Sequence, residues 1–351
     1  MRTLLWWGRF DPEYSRNRVL RAQLEKLGWR VLDFHPTVSG LGDLQARWQR
    51  LPEDVAAVWV PCFRQRDMSA AARWARRAGV PVIFDPLISA YDKQVDERAK
   101  LPEGSRRAQR LLTWEQKMFS LADRVVADTP AHADYFHQVL GVPRERLSVL
   151  MVGAEAGLFE PCPSRQQSEK LEVLFYGSFI PLQGPRVIID AARECKSQNV
   201  VWTLLGDGPL REACEQVAKG LDNVRFENWL PYEQLPARIC QADILLGIFG
   251  TTTKAGRVVP NKVYQALASG KPLVTRLSEA YPQTVQEAPD SGISWVPAGD
   301  GEALARSVEG LAADPAGLLS RGQQAAASSE RWFSNAIIAR QLEAILGEVT
   351  A

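Results

Sequence analysis

Histidine, paired cysteines and long apolar runs are scarce in this sequence, and each scarcity argues against a class of protein. Only three histidines occur among 351 residues, and none has the spacing of a metal-binding motif. The five cysteines include no Cys-x-x-Cys pair, and an odd, scattered set argues against disulfides and favours a reducing compartment. No apolar run approaches the ~18 residues of a membrane span. The sequence therefore predicts no metal site, no disulfide framework and no membrane-spanning helix.

Charge is balanced, and the first residues give no secretion signal. Lys and Arg number 42 against 41 Asp and Glu, for a formal net charge of +1. The overall charge therefore gives no reason to expect binding to nucleic acid. The opening MRTLLWWGRFDPEYS breaks too early for a signal peptide and is better interpreted as a first β-strand. We therefore expect a cytoplasmic protein, with any membrane contact peripheral and at the inner face.

Short apolar runs alternate with longer amphipathic segments along the chain. This alternation predicts an α/β fold of parallel βαβ units with right-handed crossovers. The Pro-rich polar segment 160–170 is typical of a linker. We expect two doubly wound, Rossmann-like domains, residues 1–165 (joined by a last helix at about 331–351) and 166–330. Ligands of such sheets bind at the carboxyl ends of the strands, and the cleft between two facing domains is the expected site.

Glycine turns follow the first two strands predicted in the second half. Gly177-Ser178 follows one strand, and Gly206-Asp207-Gly208 follows the next. Glycine lets the backbone approach a ligand closely, and a turn before a helix offers N–H groups to an anion. The third glycine of the dinucleotide fingerprint is missing, which counts against a nicotinamide enzyme. Taken alone, each motif also fits an ordinary βα turn.

Residues 250–272 (GTTTKAGRVVPNKVYQALASGKP) carry the strongest functional signal. They contain the cations Lys254, Arg257 and Lys262 after a predicted strand. Asn261 is expected to cap the next helix, which places Lys262 in its first turn, where the helix dipole is positive. Gln265 follows one turn later, placed to hydrogen-bond a ribose hydroxyl. Loop position and helix polarity favour a pyrophosphate-binding site over a solvated basic loop.

The second half resembles the donor-binding domain of the family 4 retaining glycosyltransferases, which have the GT-B fold. The resemblance covers roughly residues 171–300 and is carried by FYGSF, LLGDGP, QADILLGIFG and PNKVYQALASGKPLVT, in that order. LADRVVADTPAHADYF is the clearest echo of the family in the first half. The last helix resembles the family's C-terminal helix, which packs back on the first domain.

The chain departs from the family at the donor site. Arg257 and Gln265 stand where the family has two glutamates, of which the first contacts the sugar and the second the ribose. Gln265 can still donate and accept hydrogen bonds there. Ser178 and Gln183 stand where the family tends to have Arg and Lys. We hypothesise that the three cations of residues 250–272 supply the missing phosphate charge.

The first half offers fewer candidate site residues. Asp85 follows a predicted strand where many relatives carry His or His-Asp, so it is either a catalytic residue that orients the acceptor hydroxyl or a turn former before proline. Tyr14, Arg16 and Asn17 lie where the family's glycine-rich loop approaches the donor phosphates. Their side chains are therefore expected to contact phosphate or acceptor.

A contact with the membrane is left open by the first half. Aromatic and basic residues there, for example Trp6, Trp7, Arg16 and Arg18, could serve a membrane-linked acceptor. Packing in the core explains the tryptophan pair equally well.

The resemblance implies a hexosyltransferase-like enzyme that moves a sugar from a UDP-, GDP- or dTDP-linked donor to a saccharide or lipid-linked acceptor, in bacterial glycan assembly. Retaining members need no strong protein base, because the leaving phosphate can take the acceptor proton. The resemblance also implies no cofactor, and no metal, because cations and a helix end replace it. Two alternatives stay open: a non-catalytic binding partner of the same fold, favoured by the missing glutamates, and a nucleotide-sugar epimerase.

Overall fold

Buried strands alternate with helices through the chain, as the sequence predicts, and they form two α/β units. The computed structural model describes residues 2–49, 51, 52, 54–98, 100–163 and 170–350. Unit 1 comprises Met1–Gly153 and Asn335–Ala351, and unit 2 comprises Ala154–Ser334. Within the described ranges, no helix is both long and apolar enough to cross a membrane.

Unit 1 is a parallel sheet of six strands covered by helices on both faces. Its strands are Thr3–Trp7 (β1), Arg30–Phe34 (β2), Val55–Val60 (β3), Val82–Phe84 (β4), Arg124–Ala127 (β5) and Leu147–Val149 (β6). Its helices are Ser15–Lys26 (α1), Gly42–Trp48 (α2), Met68–Ala78 (α3), Ala90–Asp92 (α4), Arg106–Ser120 (α5), Pro130–Gln138 (α6) and Asn335–Thr350 (α14). The strand order is β2-β1-β3-β4-β5-β6.

Alternate side chains of β1 enter the two cores of unit 1, as the two-residue repeat of a strand requires. Leu5 and Trp7 pack under α2, α3, α5 and α6, whereas Leu4 and Trp6 pack under α1 and α14. Helices on both faces bury a parallel sheet completely. Because α14 packs against α1 through Ile338 and Leu342, the prediction that the last helix returns to the first domain is confirmed.

Unit 2 is a second parallel sheet of six strands. Its strands are Leu171–Tyr176 (β7), Val200–Leu205 (β8), Val224–Glu227 (β9), Ile244–Leu246 (β10), Leu273–Arg276 (β11) and Ile293–Val296 (β12). Its helices are Pro185–Glu194 (α7), Arg211–Val217 (α8), Leu235–Gln241 (α9), Asn261–Ala268 (α10), Gln283–Gln286 (α11), Gly301–Ala312 (α12) and Pro315–Phe333 (α13). The order β12-β11-β10-β7-β8-β9 reverses direction between β7 and β10. In doubly wound sheets, ligands bind outside the carboxyl ends of the strands at such a reversal.

The boundary between the units lies earlier than predicted. Residues 154–163 group with unit 2, where the Phe159 ring packs edge-on against Tyr232 at 6.0 Å. Part of the predicted linker, residues 164–169, lies outside the described residues.

The prediction of no disulfide is wrong, because Cys162 and Cys240 are bonded within unit 2. The expectation of a reducing compartment therefore loses the support that it took from the cysteines. They are 78 residues apart in the sequence. Their approach depends on the fold, which brings the segment before β7 against the end of α9, so spacing along the chain does not show it.

Candidate functional site

Glycines allow three loops to approach one another closely at the carboxyl edge of the unit 2 sheet. A Cβ atom on Gly206, after β8, would lie 2.1 Å from the carbonyl oxygen of Gly177, after β7. A Cβ on Gly250, after β10, would lie 2.3 Å from the carbonyl oxygen of Leu182. No larger residue fits at either position, because its Cβ atom would overlap the neighbouring carbonyl oxygen. Glycine is therefore required at positions 206 and 250 for the loops to approach so closely. They place exposed Asp207 and half-buried Ser178 at this edge.

Lys262 is the most unusual side chain at this edge. It is 5% exposed, its Nζ donates to Gln183 Oε1 at 2.7 Å, and it lies 3.8 Å from the centre of the Phe175 ring. Within the described part of the chain no carboxylate pairs with it. Burial lowers the pKa of Lys262 well below its usual value, because the charged form is desolvated. A buried amine that has no carboxylate partner among the described residues, at the reversal of strand order, is suited to bind an anion, because an anion favours its charged form.

The position of Lys262 explains one departure from the family. Gln183 stands where the resemblance implies a lysine, and Lys262 reaches that side chain from α10, 79 residues along the chain. A Cβ on Gly177 would lie 2.8 Å from Nζ, so the amine also borders the β7 turn. The cation therefore occupies the expected place but comes from a different element.

Gln265 lies in a directed hydrogen-bond chain. Tyr176 donates to Gln265 Oε1 at 3.0 Å, Gln265 Nε2 donates to the Tyr232 hydroxyl at 3.0 Å, and Tyr232 donates to Glu155 Oε1 at 2.7 Å. The chain ends on a carboxylate that sequence analysis missed, because Glu155 precedes the predicted donor domain. Glu155 Oε2 is buried without a hydrogen-bond partner in the structure.

The remaining predicted donor residues lie on the connection between β10 and α10. Lys254 is buried in the 3-10 turn Thr253–Gly256, and Arg257, which follows it, is half-buried. The expectation that Asn261 caps α10 is wrong, because Pro260 takes the cap position with an extended backbone and Asn261 begins the helix. Lys262 still falls in the first turn, as predicted.

Arg16 and Asp85 form a fully buried ion pair in unit 1. Both side chains are 0% exposed, and Arg16 Nε donates to the two carboxylate oxygens at 2.8 and 3.0 Å. Arg16 Nη1 also donates to the carbonyl oxygen of Leu150 at 3.1 Å. Burial raises the pKa of Asp85, and the guanidinium opposes this rise. The pair ties α1 to the ends of β4 and β6, whereas a catalytic role for Asp85 and a phosphate or acceptor contact for Arg16 stay predictions.

The other predicted residues of unit 1 surround this pair. Tyr14 is half-buried, and burial raises the pKa of its hydroxyl. Asn17 Nδ2 donates to the carbonyl oxygen of Asp11 at 2.7 Å, and the Cys62 thiol lies 3.7 Å from Asn17 Oδ1. Burial raises the pKa of Cys62 to about 12, so this thiol is protonated and unreactive.

A second buried pair was missed in the sequence. His132 Nδ1 lies 2.6 Å from Asp128 Oδ1 at the start of α6, where the Thr129 side chain caps the helix. The carboxylate of Asp128 raises the pKa of Asp85, so the two pairs share one electrostatic environment. Asp128 directly follows β5 and lies four residues before His132, a spacing that could have indicated the contact.

The tryptophans offered for membrane contact are core residues. Trp6 and Trp7 are 0% exposed, so core packing is the correct explanation for both, and Arg16 is buried with them. No group of three or more His, Cys, Asp or Glu suited to a metal occurs among the described residues. Metal independence itself stays a prediction.

Two family models match the chain. One, described as "Glycosyl transferase 4-like domain", matches residues 6–153, and the other, "Glycosyl transferases group 1", matches residues 170–314. Together they span most of the chain and follow the division into two units.

Most of the curated relatives that match the chain are named as glycosyltransferases. The chain is 30% identical over 219 residues to the putative colanic acid biosynthesis glycosyltransferase WcaL of Escherichia coli K12, covering 60% of this chain and 53% of that protein. It is 26% identical over 276 residues to a D-inositol 3-phosphate glycosyltransferase of Segniliparus rotundus, covering 73% and 58%. The matches thus span only about half the length of these relatives.

Solved structures share the fold over the full chain. HepE of Anabaena, crystallised with UDP, has a TM-score of 0.73 at 18% identity and is covered over 100% of its chain, against 99% of this one. A sucrose-phosphate synthase of Thermosynechococcus elongatus has a TM-score of 0.75 at 16% identity, with 99% of each chain covered. At these identities, the likeness shows the GT-B fold.

Proposed function

Because the chain belongs to the group 1, GT4-like glycosyltransferases with the GT-B fold, we propose that it moves a sugar from a nucleotide-sugar donor to a saccharide or lipid-linked acceptor. The proposal includes retention of configuration, independence from metal and action in the bacterial cytoplasm. The observation that carries it is Lys262, a buried amine without a carboxylate at the reversal of strand order.

The donor diphosphate is proposed to pair with Lys262. The amine borders Gly177, whose turn can accept an oxyanion close to the backbone, and it lies in the first turn of α10, where the dipole is positive. Charge that develops on the leaving diphosphate is then stabilised by a fixed cation in a site of low dielectric. No metal is needed for that role.

Gln265 is proposed to bind the donor ribose. Its two tyrosine contacts use one amide hydrogen and one lone pair, which leaves a second amide hydrogen and a second lone pair for a hydroxyl. Tyr176 and Tyr232 fix the orientation of the amide, so the side chain is held ready for a ligand.

Uridine nucleotides are the first candidates for the donor, because crystal structures of HepE contain UDP and UDP-glucose. The curated relative WcaL is named for colanic acid biosynthesis, which supports assembly of a polysaccharide or its lipid-linked precursor.

The proposal is tested by thermal shift of the purified protein with UDP, GDP, dTDP, ADP and CMP, each with magnesium and with a chelator. A nucleotide that binds the native state raises the Tm by mass action. We expect a selective shift that survives chelation. No shift with any nucleotide at millimolar concentration contradicts the proposed donor site.

A non-catalytic binding partner is the second candidate, because Arg257 and Gln265 replace the two glutamates of the family. That reading predicts a nucleotide-induced shift with no slow hydrolysis of the matching nucleotide sugar. Release of free sugar by the wild-type protein, lost in Lys262→Met, excludes it.

A further inference from the structure

Exposed apolar side chains cluster on one short segment of unit 1. Val38, Leu41, Leu44 and Trp48 are 53%, 56%, 52% and 93% exposed. Leu41, Leu44 and Trp48 recur at spacings of three and four, so they lie along one side of α2 and the turn before it. A tryptophan and three aliphatic side chains in water form an apolar patch that calls for a partner.

Every exposed charge on the neighbouring helices is positive. On α3 and the turn before it, Arg66, Arg73, Arg76 and Arg77 are exposed, whereas Asp67 is 1% exposed. On α5, the exposed charges are Arg106, Arg107, Arg110 and Lys117, whereas Glu115 is 0% exposed. Arg47 of α2 adds another exposed cation, and the acid of that helix, Asp43, is 3% exposed. A chain with a net charge near zero thus concentrates positive charge here.

The apolar segment and the cations form one continuous surface. Asp43 of α2 accepts from Arg73 at 2.8 Å and from Arg77 at 2.9 Å, which holds α2 beside α3. A cavity of about 530 Å³ lies between α3 and α5, and Arg66, Arg73 and Trp114 are among the residues that line it. We call this surface, from Val38 to Trp48 with the exposed cations of α3 and α5, the α2–α3–α5 face.

We propose that the α2–α3–α5 face docks on a bilayer that contains anionic phospholipid. The apolar side chains of α2 enter the boundary between headgroups and acyl chains, the arginines meet the headgroups, and the cavity between α3 and α5 receives a lipid phosphate. An interfacial helix with Trp and Leu on one side and basic residues beside it binds membranes in this way. The proposal does not depend on the donor site, which lies in unit 2.

The combination of charge and apolar exposure selects the occupant. Nucleic acid would use the cations but leave the three aliphatic side chains in water. An acidic protein would need a surface of complementary shape. A bilayer with anionic headgroups satisfies both the apolar segment and the exposed cations of α2, α3 and α5 without one. The docking is peripheral, which agrees with the absence of a spanning helix in the described ranges.

Sedimentation with vesicles tests the proposal. The full chain is mixed with vesicles of phosphatidylcholine alone, or with about one quarter phosphatidylglycerol, at low and high salt. We expect binding to the anionic vesicles, little binding to the neutral ones, and loss of most binding in ~0.5 M salt, where surface charges are screened.

Two variants separate the contributions. Leu44→Gln/Trp48→Gln removes the apolar insertion and should weaken binding at least tenfold. Arg66→Gln/Arg110→Gln removes two cations and should weaken binding about 25-fold, since each cation near an anionic surface contributes about fivefold. The matched controls are Trp229→Gln, whose tryptophan is 51% exposed in unit 2, and Lys219→Gln/Arg225→Gln, both exposed in unit 2. Neither control should change binding, and every variant should keep the wild-type Tm and its nucleotide-induced shift.

Three results overturn the proposal. They are no binding to anionic vesicles, equal binding to neutral vesicles, and equal loss of binding in the unit 2 controls. Binding of an oligonucleotide that the face variants abolish, with no vesicle binding, would assign the face to nucleic acid instead.

Discussion

Replacing Lys262 by methionine should separate ligand binding from folding. The substitution keeps the length of the side chain and removes the charge. Desolvation of a buried ion costs several kcal/mol. The cation–π contact with Phe175 stabilises the charged amine by about 2 kcal/mol, and the hydrogen bond to Gln183 stabilises it by about 1.5–3 kcal/mol. The lowered pKa of Lys262 indicates that these contacts do not fully offset the cost of desolvation, so Lys262→Met should not lower the free energy of unfolding.

Binding of a nucleoside diphosphate should instead be weakened strongly. A charge-assisted hydrogen bond to phosphate contributes about 1.5–3 kcal/mol, so its loss weakens affinity about 10- to 150-fold. The position of Lys262 therefore predicts a large loss of affinity without a loss of stability.

The pH dependence follows from the lowered pKa of Lys262. Between its folded pKa and its unfolded value near 10.4, the unfolded state binds more protons, so wild-type stability gains with rising pH in that window. Lys262→Met lacks this gain, so its stability relative to the wild type is greatest below the window and declines through it. Wild-type affinity for the diphosphate should fall over the same range, because the neutral amine pairs poorly with phosphate.

Urea unfolding and nucleotide titration of the same preparations, from near pH 6 to pH 10, measure both effects. The reasoning is refuted if Lys262→Met loses more than about 3 kcal/mol of stability while its nucleotide affinity stays at the wild-type value. That result would make Lys262 a structural residue.

Three further predictions concern other buried groups. Gln265→Glu should destabilise the protein by about 1–3 kcal/mol, because the Tyr232 hydroxyl then lies between two carboxylates, those of Glu155 and the new side chain. Adding Glu155→Gln should restore most of the lost stability. A double-mutant cycle that shows no coupling between the two positions contradicts the hydrogen-bond chain. Arg16→Met should cost about 3–5 kcal/mol in urea unfolding, because it strands a buried carboxylate, and a cost below 1 kcal/mol would mean that the ion pair does not form. In denaturant without reductant, three thiols should react, since Cys162 and Cys240 are bonded, and reduction should lower stability by up to about 4 kcal/mol; five reactive thiols would show that the disulfide is absent.

Local patterns predicted most of the fold. β1, β2, β3, β5, β7 and β8 each coincide with a short, largely apolar segment flanked by turn or polar residues. The apolar run after Asp243 continues to Phe249, but β10 ends at Leu246, where Gly247 packs so closely on Thr275 that a Cβ would lie 2.1 Å from Oγ1. This contact between neighbouring strands is a tertiary feature that no local pattern contains.

The candidate site was predicted only in part. Position in the loop after β10 and the polarity of α10 were enough to select Lys262 and Gln265. The partners that define their states, Gln183 and Glu155, lie 79 and 110 positions away in sequence, so only the sheet order brings them together. Asp85 was selected by resemblance, but its burial against Arg16 depends on the packing of α1, which the sequence does not reveal.

The most direct test of the central claim is a proton NMR time course of the wild-type protein with each candidate nucleotide sugar, without metal. The account predicts slow consumption of one donor, with the released sugar appearing first in the anomeric configuration of that donor, and no consumption by Lys262→Met. Release of the opposite anomer would contradict retention. No consumption of any donor would contradict the assignment of this chain as an active glycosyltransferase.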